Sequence, residues 1–200
     1  MSSEERQIDQ TAPRACLLGL PREIRDQVLE HVLLSPAGLT TVRRPWLICP
    51  NNVPACPPSV CRVDRQLRAE SLPVFLSSNI FEVDLASAGD NVHAFGHWLD
   101  RIGYENAHNI RYLKVLGWIQ IPFGHMVQRR WLVASFDFKA KTMSVNGKST
   151  LENSQMSLLS PVQELQTAFE DLLRMREGGS LEAQDLRDLI ERFHGLSIAY

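Results

Sequence analysis

The sequence predicts an α+β protein, with N-terminal helices packed on a small antiparallel sheet and two helices at the C-terminus. Three observations carry that prediction. Apolar residues recur at helical spacing near both ends of the chain, the middle holds alternating or β-branched and aromatic runs, and Pro, Gly and Asn fall between them. With 200 residues, 44% hydrophobic and 22% charged, the chain can bury a core without a metal or disulfide. The expected organisation is a polar lead-in over residues 1–15, an α+β domain over 16–148, and a helical extension over 149–200 packed on the same domain.

The lead-in lacks periodicity and reads as disordered. A first helix is expected over 21–34, because Leu20, Ile24, Val28 and Val32 repeat every four positions and Leu29 and Leu33 widen the stripe. Arg22, Arg25, Asp26 and Glu30 take the other side. Pro21 suits a first helical turn, where an N–H has no partner to lose, and Glu23 meets the positive end of the dipole. Ser35-Pro36-Ala37-Gly38 stops the helix. Short strands follow at 39–42 and 46–48, and the Pro-rich stretch 50–58 must be loop.

A second helix is expected to start near Ser59 as N-cap, with Val60, Val63, Leu67 and Val74 on one face. Pro73 is expected to kink or break it, since it removes an interior N–H. Residues 81–85 alternate as a half-buried strand, and Val92, Phe95, Leu99 and Ile102 define a third helix over 91–102. Strands are read at 110–121, 131–138 and 139–145, followed by an Asn146-Gly147 turn. Val162, Leu165, Phe169, Leu172 and Leu173 make a helix ended by Gly178-Gly179. Ser180 then caps the last helix, which carries Leu186, Leu189, Ile190 and Phe193.

Several function classes fall away on residue types alone. No run approaches the ~20 apolar residues of a membrane span, and Glu4, Glu5 and Asp9 precede any apolar stretch, against a secretory signal. An intracellular protein, cytoplasmic or nuclear, is expected. Cys16, Cys49, Cys56 and Cys61 have no zinc-finger spacing and read as thiols. His93 and His97 stand one helical turn apart, as in some metal sites, yet no acid lies between them and they read as surface or packing residues. Cys61 beside Arg62 and Arg65 lacks a His that sequence can bring to it, and no Gly-x-Ser-x-Gly elbow is present. The Gly147-Lys148-Ser149 triplet lacks the upstream Gly of a phosphate-binding loop. No catalytic, metal or cofactor-binding residue is assigned, so the chain reads as non-enzymatic and free of cofactor.

Charge is unevenly spread. Residues 101–148 hold eight basic residues against two acids (+6), whereas 149–200 hold four against nine (−5). The two segments are expected to face each other within the fold. Arg129-Arg130-Trp131 is the densest basic–aromatic point, but Tyr112, Trp118, Trp131 and Phe136 on alternating strands read as core, so nucleic acid is not the expected partner.

Two motifs go further. Leu20-Pro21-Arg22-Glu23-Ile24-Arg25 is followed by Val60-Cys61-Arg62, Arg65, Arg68 and Glu70, then by Leu72-Pro73-Val74-Phe75 and Asn79-Ile80-Phe81. With Phe95, Trp98-Leu99, Ile102-Gly103, Asn106 and Asn109-Ile110-Arg111, this order resembles the F-box-like proteins abundant in filamentous fungi, over roughly residues 17–120. Two departures from a typical F-box stand out: a Pro-rich insertion separates the helices, and Asp64 occupies the place of an expected Trp.

The resemblance implies a protein-interaction module, an adaptor or substrate-receptor component of a ubiquitin ligase that docks the Skp adaptor of a cullin complex through the Leu-Pro helix. The partner-binding candidates are then Leu20, Pro21, Ile24 and Val28, with Arg129 and Arg130 as a second surface. Two readings of the Leu20–Val32 stripe stay open, exposed for docking or buried against the second helix and the sheet, and the sequence favours burial. An enzyme or small-ligand binder that reuses the fold is the alternative.

Overall fold

The computed structural model describes residues 16–34, 39–42, 55–86, 91–123, 125–149, 160–176 and 181–198. The expected disordered lead-in, the strand at 46–48, the Gly178-Gly179 stop and the Ser180 cap lie outside the described residues. Among the described residues, five α-helices, α1 (Arg22–Leu33), α2 (Arg65–Ser78), α3 (Asn91–Ile102), α4 (Ser160–Met175) and α5 (Ala183–Ile198), accompany one sheet. Its strands are β1 (Leu39–Val42), β2 (Ile80–Asp84), β3 (Tyr112–Phe123), β4 (Met126–Asp137), β5 (Thr142–Val145) and β6 (Lys148–Ser149), in spatial order β1 to β6.

The α+β class therefore holds, but the sheet is mixed rather than antiparallel. β1 pairs parallel with β2 and β2 with β3, while β3 to β6 form an antiparallel meander. The cause is connectivity. A helix separates β1 from β2 and another separates β2 from β3, and a strand that returns after a crossover helix runs parallel to its neighbour. Only the later strands are close enough in sequence to turn back as hairpins.

Alternation then sorts the sheet into two faces. Phe81, Val83, Leu113, Val115, Ile119, Leu132, Ala134, Phe136, Met143 and Val145 are all buried on one of them. Helices cover that face: α2 through Phe75 on Phe81, α3 through Trp98 on Phe81, and α4 through Phe169 on Phe136. α5 crosses β3 where Gly117 leaves room for Phe193, whose ring would lie 2.8 Å from any added Cβ. α1 is an outer element packed on α2. On the opposite sheet face Glu82 and Leu116 are buried, whereas Trp118 and Trp131 are exposed.

Two expectations about α2 need correction. Ser59 opens a single 3-10 turn, Ser59–Arg62, and α2 itself begins at Arg65. Asp64 is its N-cap, with Oδ1 accepting from the backbone N–H of Gln66 (2.7 Å) and Leu67 (3.4 Å). The residue that departs from the F-box pattern thus has a local task. Of the two effects expected of Pro73, a kink or a break, the break does not occur, for the helix runs on to Ser78 with Leu72, Phe75 and Leu76 buried around it. Tertiary packing outweighs the missing N–H there. Asp64→Ala should cost about 1 kcal/mol in a urea melt, because the helix loses its cap; an unchanged midpoint would remove that role.

Candidate docking face

α1 begins with Pro21 as N-cap, one position before the expected first-turn place, its carbonyl accepting from Ile24 and Arg25 (3.1 Å each). Glu23 lies in the first turn as expected. The helix then presents two adjacent ridges. Arg25, Leu29 and Leu33, four residues apart, point inward and are buried. Ile24, Val28 and Val32 form the neighbouring ridge and are exposed at 43%, 38% and 66%, with Leu20 at 38%. Of the two readings open for this stripe the sequence favours burial, but the stripe is a surface, continued by Leu18 and Leu34.

The reason is a charge that sequence placed on the wet side. Arg25 donates from Nε and Nη2 to the two carboxylate oxygens of Glu70 (2.9 and 2.6 Å), and from Nη1 to the Leu20 carbonyl (2.6 Å). Gln66 Nε2 adds a bond to Glu70 Oε1 at 3.0 Å. Both side chains of the ion pair are nearly buried. Arg25, through its hydrogen bond first and Gln66 second, holds the Glu70 carboxyl far below its ordinary range, at about 2. A bidentate fork of this kind fixes rotation as well as distance. It pins α1 on α2 with Leu29 and Leu33 inward, which leaves Ile24, Val28 and Val32 turned out.

Other residues of the two motifs also build the frame. Buried Asn79 donates from Nδ2 to the carbonyls of Leu33 (3.0 Å) and Phe75 (2.9 Å), tying the C-terminal ends of α1 and α2 together. Cys61 Sγ sits 3.1 Å from Ser71 Oγ inside the core. Trp98 donates its indole N–H to the Ala55 carbonyl, and Asn106 Nδ2 donates to Ile102 at 2.8 Å. These polar groups are satisfied internally, so they position rather than recognise.

Arg129 and Arg130 do not join this surface. Both lie exposed on β4, three strands into the sheet, and α1 packs on α2. Being consecutive, they point to opposite sheet faces. The aromatic residues of the basic segment also divide, for Phe136 is core and Tyr112 half-buried, whereas Trp118 and Trp131 are exposed.

His93 and His97 are exposed on α3 beside a cavity of about 150 Å³ between α3 and α5, also lined by Asp100, Arg187 and Glu191. Arg187 Nη2 donates there to Gly96 O (3.2 Å), Asp100 Oδ1 (2.5 Å) and Tyr104 OH (3.3 Å), so its charge is committed to the fold. The Tyr104 hydroxyl, then Arg187 and His97, hold the Asp100 carboxyl below its ordinary value. Among the described residues no group of three His, Cys, Asp or Glu could hold a metal ion. Cys16 and Cys56 are exposed free thiols and Cys61 a buried one.

No described helix is long and apolar enough to cross a membrane. The fold and this face define an α+β chain with an apolar helix ridge on its outside. Compared with known proteins, the chain matches no family model, no curated protein and no solved structure.

Proposed function

We propose that the protein is a non-catalytic interaction module of the F-box-like type, which docks a protein partner through the outer ridge of α1. The observation that carries this reading is the exposure of Leu20, Ile24, Val28 and Val32 on a helix whose rotation is fixed by Arg25 and Glu70. Amphipathic helices whose apolar anchors lie one turn apart bind apolar grooves or partner helices, and contiguous exposed apolar ridges mark such sites. The partner implied by the F-box resemblance is the Skp adaptor of a cullin ubiquitin ligase, which places the protein in the cytoplasm or nucleus. Leu20 and Pro21 set the start of the contact, and Ile24 and Val28 are its centre.

Purified adaptor and the full chain test this by pull-down and calorimetry. Ile24→Asp/Val28→Asp should weaken binding at least about tenfold, because two apolar anchors that the partner would cover become charged. Leu20→Ala/Pro21→Ala should weaken it less. Thermal stability should hold, since the altered side chains are exposed. A folded wild-type chain that does not bind the adaptor would remove the reading.

A further inference from the structure

We propose that the exposed β3–β4 surface on the sheet face opposite Phe81 and Phe136 binds single-stranded nucleic acid, a role that does not draw on the α1 ridge. Trp118 and Trp131 stand directly opposite each other on β3 and β4. They are 49% and 40% exposed, with ring centroids 5.2 Å apart and planes at 71°. Two indoles left in solvent on a strand surface form a stacking platform. Open sheets that read single strands use aromatic residues this way, since every base has a face to stack.

Charge on this face selects an anion. Arg129 is exposed two residues along β4 from Trp131, on the same face, and Lys139 and Lys141 are exposed in the turn between β4 and β5. Among the described residues, none of the three has an acidic partner. Three acids of the described strands lie on this face: Glu82 is paired with Lys114 Nζ at 3.0 Å, Asp137 with Arg111 Nη2 at 3.3 Å, and Asp84 accepts from the backbone N–H of Ala86 at 2.9 Å. In the C-terminal region Asp171 pairs with Arg174, and Glu182 and Asp185 pair with Arg176. Those acids leave the strand charge untouched. Basic groups thus stand at both ends of a surface about 26 Å long, with the two indoles between, a span for a few nucleotides.

An acidic peptide would satisfy the charge but not the indoles. Aromatic recognition of extended peptides uses grooves, whereas these rings stand on an open strand surface.

The test is anisotropy of a labelled uridine decamer with the full chain at low salt. Binding should weaken steeply as salt rises, because phosphate contacts release counterions. Trp118→Ala/Trp131→Ala should lose about tenfold or more in affinity, and Arg129→Ala should flatten the salt slope by about one. Ile24→Asp/Val28→Asp should bind the decamer like wild type. Three results would overturn the proposal: no binding at low salt, wild-type binding by the tryptophan variant, or equal competition by polyglutamate, which would make this a protein-binding face. If the tryptophan variant does not fold, an Arg129→Ala salt slope equal to wild type overturns it.

Discussion

Phe193→Ala should lower stability by about 3–5 kcal/mol and lower a single unfolding transition rather than split it. The ring is fully buried on α5 and reaches across to β3, where it fills the space above Gly117. Its removal leaves a cavity where the C-terminal helices meet the sheet. Gly117 supplies the reciprocal test. A methyl there would come 2.8 Å from Phe193 Cε1, so Gly117→Ala must displace the ring, at a cost of about 1–3 kcal/mol. In the Phe193→Ala background the same methyl enters empty space, and its cost should fall away or reverse. Such coupling is expected only of residues in contact. Additive effects, or an early transition confined to α4 and α5, would show that these helices are a separable extension and not part of one cooperative domain.

That contact illustrates what the residues disclosed and what they withheld. Periodicity placed α3 at the observed 91–102, because Phe95, Leu99 and Ile102 have one wet side and one dry side. It placed Leu186, Leu189, Ile190 and Phe193 together on the last helix, where all four are buried, and Asn146-Gly147 in a turn, where φ of 51° and 77° suits those two residues. The crossing of Phe193 over Gly117 joins positions far apart in the chain and has no local signature.

α1 failed for a sharper reason. It carries two adjacent apolar ridges, and only one includes a charge, Arg25. Local logic turns the charged ridge outward, but Glu70, 45 residues on, neutralises it and reverses the orientation. The open sheet face misled in the same way. Both sides of β3 are apolar, Leu113, Val115 and Ile119 on one and Leu116 and Trp118 on the other, and alternation cannot say which side the helices cover. The parallel strands were within reach, since a strand, a helix and a strand in succession is itself the signal for a crossover. Asp64 was legible too: an Asp just before a helical run, read as a missing Trp, is a helix cap.

The Arg25–Glu70 pair should appear as an acid limb in the stability profile. In the folded chain the Glu70 carboxyl titrates at about 2, against 4.5 ordinarily. A depressed folded value means that the unfolded chain binds the proton first. The stabilisation is therefore complete above about pH 4.5 and is lost as pH falls toward 2. Thermal melts across that window should show the midpoint falling faster in wild type than in Glu70→Gln, which has nothing to protonate at this position.

Near neutral pH, Arg25→Leu should lower the melting temperature on the order of 5 °C or more, because Glu70 is left charged and nearly buried and the Leu20 carbonyl loses its donor. Arg25→Leu/Glu70→Leu should recover much of that loss, since an apolar pair of similar volume removes the stranded charge. Stability and docking then separate. The double variant keeps the packing but loses the fork that sets the rotation of α1, so a partner that reads Ile24 and Val28 in one orientation should bind it more weakly than wild type. Equal binding by a stable double variant would show that Leu29 and Leu33 alone hold the ridge outward, and that the ion pair serves stability only.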